Sequence, residues 1–352
     1  MKIRHLELYN FRSYERAAFD FCDGVNMITG ENGAGKTNIL EALYLLCGSR
    51  SWRCAKNAEM IRFGSPSAVI TADIANRSRD FHTVLELKRN GRGTVKINGV
   101  AVRKKSAMSE SVRCVIFSPS DLFLIKGASS KRREFLDNAL CQIKPAYAEA
   151  LSRYERTLAS KNKLLKDGGE LSVLPEYNRQ LAFYGAELIK TRAEYTESIN
   201  SKAKEIHSEV SDKKEILCVK YSSVSVLKGD YSDKKIIENA LFSHLCEMYP
   251  AEVSSQSCLT GAHKDDLEVF VNDREAKAFA SQGQARTAAI SLKFAERELL
   301  REDDEYPVLL LDDVMSELDK SRREYITKNA FGGQTVITTT EGTGADKVIE
   351  LK

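Results

Sequence analysis

The chain has 352 residues, 42% hydrophobic and 29% charged, which suits a soluble protein of one large or two ordinary domains with ample length for a core. Its 53 basic and 50 acidic residues leave a net charge of only +3, so any affinity for nucleic acid has to come from a local patch. No apolar run approaches the ~20 residues that span a bilayer. The eight cysteines lack a C-x-x-C pair or zinc spacing, which points to reduced, mostly buried thiols in a cytoplasm.

The start, Met1 to Leu8, alternates like a strand, and no signal peptide is expected before it. Val25-Asn26-Met27-Ile28-Thr29 reads as a short strand running into Gly30-Glu31-Asn32-Gly33-Ala34-Gly35-Lys36-Thr37. Residues 36 to 47 then read as a helix with Ile39, Leu40, Leu43, Leu46 and Cys47 on one face. A strand, a G-x-x-x-x-G-K-T loop and a helix in that order form a phosphate-binding P-loop. The glycines let the backbone wrap phosphates with its N–H groups inward, and the helix N-terminus favours an anion. Lys36 is expected to reach the β- and γ-phosphates of ATP, and the Thr37 hydroxyl to bind Mg²⁺.

Val69 to Ala75 and Thr83 to Lys88 are strand-like. Asn90-Gly91-Arg92-Gly93 and Asn98-Gly99 are turn signals around Thr94 to Ile97 and Val100 to Val102. The character changes near residue 126. Residues 131 to 165 carry helical spacing through Phe135, Leu136, Ala139, Leu140, Ile143, Tyr147, Leu151, Tyr154, Leu158 and Leu165. Lys166-Asp167-Gly168-Gly169 breaks that run, and a second helix follows from Leu174 to Val210, making an antiparallel helical hairpin. A third helix is expected over 233 to 248, and strand and helix alternation returns from about residue 262.

Ser281-Gln282-Gly283-Gln284 opens a helix expected from about 285 to 301. The serine hydroxyl and the free N–H groups of the first turn suit an anion, and suit an ordinary N-cap equally well. Val308 to Leu311 is fully apolar, as in a parallel strand covered on both faces, and ends in Asp312-Asp313. Acids there lie where ligands collect in such sheets. Asp312 is expected to hold Mg²⁺ and Asp313 to orient or deprotonate an attacking water, the bland alternative being an exposed acidic pair. Ser316-Glu317-Leu318-Asp319 follows, and Thr335 to Thr338 is a further strand.

The order P-loop, long insertion, Ser-x-Gly-Gln, Asp-Asp and Ser-Glu-Leu-Asp resembles the ABC-type ATPases. The resemblance implies an α/β fold: an ABC-type ATPase head with a mixed sheet, here residues 1–121 and 262–352, split by a mainly α-helical lobe over 122–261. In that superfamily the serine-glycine signature of one subunit caps the γ-phosphate held by the P-loop of another. Ser281, Gly283 and Gln284 are therefore expected to act in trans, in an ATP-dependent isologous homodimer.

Within the superfamily, several blocks are similar to the RecF family of bacterial recombination mediators. They are Leu8-Tyr9-Asn10-Phe11-Arg12-Ser13-Tyr14, Phe117-Ser118-Pro119-Ser120-Asp121-Leu122, Lys126-Gly127 with Lys131-Arg132-Arg133-Glu134-Phe135-Leu136-Asp137, and Gly261-Ala262-His263-Lys264-Asp265-Asp266-Leu267. The resemblance implies ATP and Mg²⁺ as cofactors and DNA bound near single-strand to double-strand junctions. It also implies work with RecR and RecO to help RecA load onto gapped DNA. Arg12 sits where related SMC-type ATPases place a nucleotide-contacting arginine, and a surface salt bridge is the other reading. His263 reads as a structural hydrogen bonder rather than a catalytic group.

The departures matter too. Asp313 stands where most ABC-type sites have glutamate, and Thr338-Thr339-Thr340 where transporters carry a switch histidine, so any γ-phosphate contact there would come from a hydroxyl. No clear glutamine loop is present; Ser118 to Asp121 is its counterpart. Ala262 replaces a common family proline. The first three departures predict slow hydrolysis, a timer rather than a motor. Basic runs that could meet DNA backbone without base readout are Arg103-Lys104-Lys105, Lys131-Arg132-Arg133, and Lys202 with Lys204. The competing readings are an SMC-type chromosome-structural ATPase, a transporter ATPase subunit and a P-loop kinase. The first lacks its very long coiled coils, the second its switch histidine, and the third leaves Ser281 and Asp313 without a task.

Overall fold

The computed structural model describes residues 1–352 apart from 55, 169, 170, 228, 331, 340–344 and 352, so Gly169 and Thr340 lie outside the described residues. Along the chain come β1 (Lys2–Phe11), β2 (Tyr14–Asp20), β3 (Val25–Thr29), α1 (Lys36–Leu45), β4 (Ser67–Ala75), β5 (Asp80–Lys88), β6 (Thr94–Ile97), β7 (Val100–Val102) and β8 (Cys114–Phe117). Helices α2 (Phe123–Lys126), α3 (Ser129–Ile143), α4 (Pro145–Asp167) and α5 (Leu174–Val210) follow, then β9 (Leu217–Ser222), α6 (Lys234–Glu247) and α7 (Tyr249–Ser255). The chain closes with β10 (Asp266–Val271), β11 (Arg274–Glu275), α8 (Ala276–Phe279), α9 (Gln282–Leu299), β12 (Val308–Asp312), α10 (Lys320–Ala330), β13 (Thr335–Thr339) and β14 (Lys347–Glu350).

Two compact units emerge. The first comprises Met1–Phe123, Glu209–Lys213 and Arg286–Lys352, the second Leu124–Ser208 and Lys214–Ala285. In the first unit, parallel and antiparallel pairing are divided between two sheets. One is antiparallel, ordered β2-β1-β4-β5-β6-β7; the other is parallel, ordered β14-β3-β13-β12-β8. Strand β1 alternates because Ile3, Leu6, Leu8 and Phe11 face the core, while β12 is buried at every position. Helix α1 is buried all round from Ile39 to Leu45 because it packs against both sheets, touching β1 as well as β8, β12 and β13. That placement fixes the P-loop at the C-terminal edge of the parallel sheet.

The second unit holds the helical hairpin of α4 and α5 and a small antiparallel sheet, β11-β10-β9. Three readings of the sequence are corrected here. The run expected over 131 to 165 is two helices. Lys144 is extended (φ −127, ψ 94) because it precedes Pro145, whose ring excludes helical backbone at that residue. Residues 262–285 fall in the second unit, not the first, because β10 pairs with β9 from Asp266↔Ser222 to Val271↔Leu217. Strand β9 itself is not expected from the sequence. Third, only three of the eight cysteines are buried; four are half-buried and Cys246 is exposed.

The basic run at 131–133 also changes meaning. Arg132 is 2% exposed. It makes a bidentate pair with Asp266 (2.6 and 2.8 Å) and donates to the carbonyls of Leu124, Ile125 and Gly127. Arg133 donates to the Asp265 carbonyl at 2.6 Å. Beside them, Arg192 donates to both carboxylate oxygens of Asp137, to Asp265 Oδ2 at 2.9 Å and to the Ala262 carbonyl at 2.7 Å. The two sequence blocks around residues 131–137 and 261–267 are thus halves of one interior polar knot. His263 belongs to its edge. Its Nδ1 meets the Tyr154 hydroxyl at 2.8 Å and its Nε2 the Cys258 carbonyl at 3.2 Å. Burial lowers its pKa to about 4, so it is neutral at physiological pH.

Candidate nucleotide-binding site

The loop between β3 and α1 needs backbone that only glycine adopts without strain. Gly33 and Gly35 have φ of 90 and 99. At Gly35 a Cβ would also lie 2.6 Å from the Tyr14 hydroxyl, so the side of the loop facing β2 is closed to any side chain. Lys36 is 8% exposed, and its ammonium folds back on the loop, donating to the carbonyls of Gly30 (2.5 Å) and Glu31 (3.0 Å). Glu31, Asn32 and Gly33 form the exposed rim. The ammonium is therefore poised inside an open ring of backbone groups, where a phosphate oxygen can replace a carbonyl.

Thr37 and Asp312 are 275 residues apart in sequence and touch: the Thr37 hydroxyl donates to Asp312 Oδ1 at 2.7 Å. Strand register brings them together: β13 pairs in parallel with both β12 and β3, so the C-terminal ends of β12 and β3 lie on the same edge of the sheet, and the loop after β3 leads into α1 there. Burial raises the Asp312 pKa, offset in part by its hydrogen bonds from Thr37 and Thr338. A carboxyl raised in this way weakens the fold as pH rises from the ordinary carboxylate range into the folded one. A cation at this carboxylate would offset that cost. A hydroxyl and a carboxylate are hard oxygen donors, the set that suits Mg²⁺.

Asp313 follows in the left-handed region (φ 51, ψ 22), which turns the chain sharply after the strand. Thr338 holds that turn. Its hydroxyl donates to Asp312 Oδ1 at 3.0 Å and accepts from the Asp313 N–H at 3.0 Å. Of the three threonines expected to offer a hydroxyl to a γ-phosphate, Thr338 instead braces both acids, and Thr340 lies outside the described residues. Thr338 pairs in register with Asp312 and is 1% exposed.

Arg12 forks onto Glu41, Nε to Oε2 and NH2 to Oε1, both at 2.7 Å. Glu41 is wholly buried and also receives Arg53 and Ser51. Arg53 donates further to Asn38, the residue after Thr37. Arg12 is therefore part of a semi-buried ion cluster that ties the β1–β2 turn to α1, more than a surface pair. Neither Glu41 nor Arg53 stands out from the sequence. The available signal is an acid set in the apolar run from Ile39 to Leu45, where it has to be paired.

The signature segment lies in the second unit, and Ser281 and Gln282 are exposed. Ser281 and Gln284 form a reciprocal cap, the Gln284 N–H donating to Ser281 Oγ at 3.2 Å and the Ser281 N–H to Gln284 Oε1 at 2.9 Å. Gly283 lies within the first turn of α9.

Known proteins share this arrangement of segments. The profile of the RecF/RecN/SMC N terminal domain matches residues 2–346. The chain is 36% identical to the DNA replication and repair protein RecF of Clostridioides difficile over 344 residues, 97% of this chain and 92% of that one. It is equally identical to RecF of Acetivibrio thermocellus, over 97% and 94% of the two chains. Among solved structures it is similar to the recombination mediator protein RecF with ATP, described in the RecFOR pathway (TM-score 0.90, 33% identity, 99% of this chain and 95% of that one). A Pyrococcus furiosus Smc head domain, at TM-score 0.55 and 18% identity over 99% of this chain and 94% of that one, shares the fold alone.

Proposed function

This chain belongs to the RecF family of DNA replication and repair proteins, and from that premise we propose that it is an ATP-driven dimer that binds DNA at single-strand/double-strand junctions. The observation that carries the nucleotide reading is the contact of Thr37 with Asp312 at the mouth of a glycine-built loop. ATP binding is supported by the ATP complex of a solved relative. In this reading Lys36 and the loop N–H groups of Gly30 to Thr37 hold the phosphates. Thr37 and Asp312 would hold Mg²⁺, whose charge would stabilise the phosphates when bound. Arg12, through Glu41 and Arg53, sets the wall beside Asn38.

Asp313 orients and deprotonates the attacking water. It is a short carboxylate on a fixed turn, so hydrolysis is slow and serves as a timer. Ser281, Gly283 and Gln284 of a second copy cap the γ-phosphate; the exposure of Ser281 supports that role. RecR and RecO are partners in this reading, because the solved relatives are described in the RecFOR pathway, and loading of RecA on gapped DNA is its end point. The setting is the cytoplasm. Among the described residues no helix is long and apolar enough to cross a membrane.

Asp313→Asn tests the assignment. Single-turnover ATP hydrolysis should fall by about 100-fold or more, the range for loss of a general base, with ATP affinity unchanged. ATP-bound dimer should then persist on gapped DNA. Unchanged turnover would remove Asp313 from the chemistry.

A further inference from the structure

The three basic runs found in the sequence do not fare alike in the structure. Arg132 and Arg133 face inward onto Asp266 and the Asp265 carbonyl. Lys202, on the long helix α5, shares its charge with Glu205 at 2.9 Å, and Lys204 stands exposed two residues on. The remaining run, Arg103-Lys104-Lys105, leads out of the hairpin of β6 and β7, at the edge of the antiparallel sheet. Residues 87–109, which contain this hairpin, include seven lysines and arginines and no acid. Net charge near zero over the whole chain makes such a segment a concentrated departure from its surroundings.

The hairpin is also built to present those charges. Asn98 and Gly99 both have positive φ (49 and 80), a two-residue turn that fixes the register Ile97↔Val100, Lys96↔Ala101 and Val95↔Val102. That register buries Val95 and leaves Lys96 exposed, with Arg103 and Lys104 exposed just beyond β7. Arg92 reaches across the hairpin to the Arg103 carbonyl at 3.1 Å, so an uncharged acceptor takes one of its donors. Burial, and then the nearby Arg50 guanidinium, lower the Lys105 pKa. A phosphate would relieve that crowding. Val100, 68% exposed at the tip, adds an apolar contact point.

We infer that the β6–β7 hairpin is a track for the phosphate backbone of DNA, with Lys96, Arg103 and Lys104 as its principal contacts. The inference rests on the DNA-binding reading above and names where that binding occurs. Contacts of this kind carry charge and no base information, so affinity is independent of sequence and falls steeply with salt.

The experiment uses the full chain with ATP and Mg²⁺, and a fluorescent gapped duplex titrated across a salt series. Lys96→Glu, Arg103→Glu and Lys104→Glu combined should weaken binding at least tenfold. The slope of log affinity against log salt should fall by about 0.9 for each phosphate no longer neutralised. A charge-keeping triple, Lys96→Arg, Arg103→Lys and Lys104→Arg, should bind within about threefold of wild type, and ATP affinity should be unchanged in both. A neutral triple to glutamine, judged folded by its melting curve, replaces the reversal if that fails to fold, and should also weaken binding and lower the slope. Wild-type affinity and slope in the reversed or neutral chain would overturn the hairpin while leaving DNA binding in place. Failure of wild type to bind any DNA would overturn the reading beneath it, and so would binding confined to RNA or to phosphatidylglycerol vesicles.

Discussion

Arg192→Ala is expected to destabilise the second unit by about 3–5 kcal/mol, the range for removing one partner from a buried ion pair. Arg192 is 2% exposed and saturates its donors on Asp137, Asp265, the Ala262 carbonyl and the Tyr147 hydroxyl. Removing it takes the shared cation from the Asp137 and Asp265 carboxylates. Asp265 bears most of that cost, because it is fully buried. Its pKa is already pushed up to about 6 by burial, against the pull of Arg192, Ser223 and Tyr221. Without Arg192 it rises further. A carboxyl raised in the folded state favours folding at low pH and loses that contribution as pH rises through the folded value. The destabilisation should therefore be larger at pH 8 than at pH 5. Urea midpoints for wild type and variant at both values read this directly. A loss below about 1 kcal/mol, or one independent of pH, would show that the knot is not what holds the two blocks together.

Lys36→Ala should lower ATP affinity by about 10²- to 10³-fold, equivalent to about 3–4 kcal/mol and within the range for losing one side of a buried charged contact. The apo chain should keep its fold, because the ammonium there bonds only to the carbonyls of Gly30 and Glu31. Lys36→Arg should not rescue, since a planar guanidinium does not substitute for a compact ammonium that contacts the Gly30 and Glu31 carbonyls from within the loop. Calorimetric titration with ATP and Mg²⁺ settles the matter. Affinity within threefold of wild type would mean that the loop holds phosphate by backbone alone.

Local chemistry was legible in the sequence where it is contiguous. Gly30 to Thr37 carries its strand, loop and helix in one stretch, and Asp312-Asp313 ends a run whose burial its apolar residues already announce. Positions whose meaning depends on a distant partner were not legible. Arg132 reads as surface charge until Asp266, 134 residues on, is placed against it. Thr338 reads as a free hydroxyl until strand register sets it beside Asp312. The break at Pro145 is hidden by the apolar spacing that continues on either side of it, although the backbone restriction it imposes on Lys144 is local and strong. Strand β9 alternates over Leu217 to Ser222, but its pairing partner lies beyond α6 and α7, so no turn signal marked it.

The central claim is that one chain holds half of each nucleotide site and that ATP closes two chains together. Molar mass by light scattering tests it most directly, with and without saturating ATP and Mg²⁺, for wild type and Ser281→Arg. Wild type should show 39.4 kDa without nucleotide and twice that with it. Ser281→Arg should stay at the single-chain mass while still binding ATP. A wild-type chain that remains single at saturating ATP, or a Ser281→Arg chain that doubles as readily, would contradict the claim.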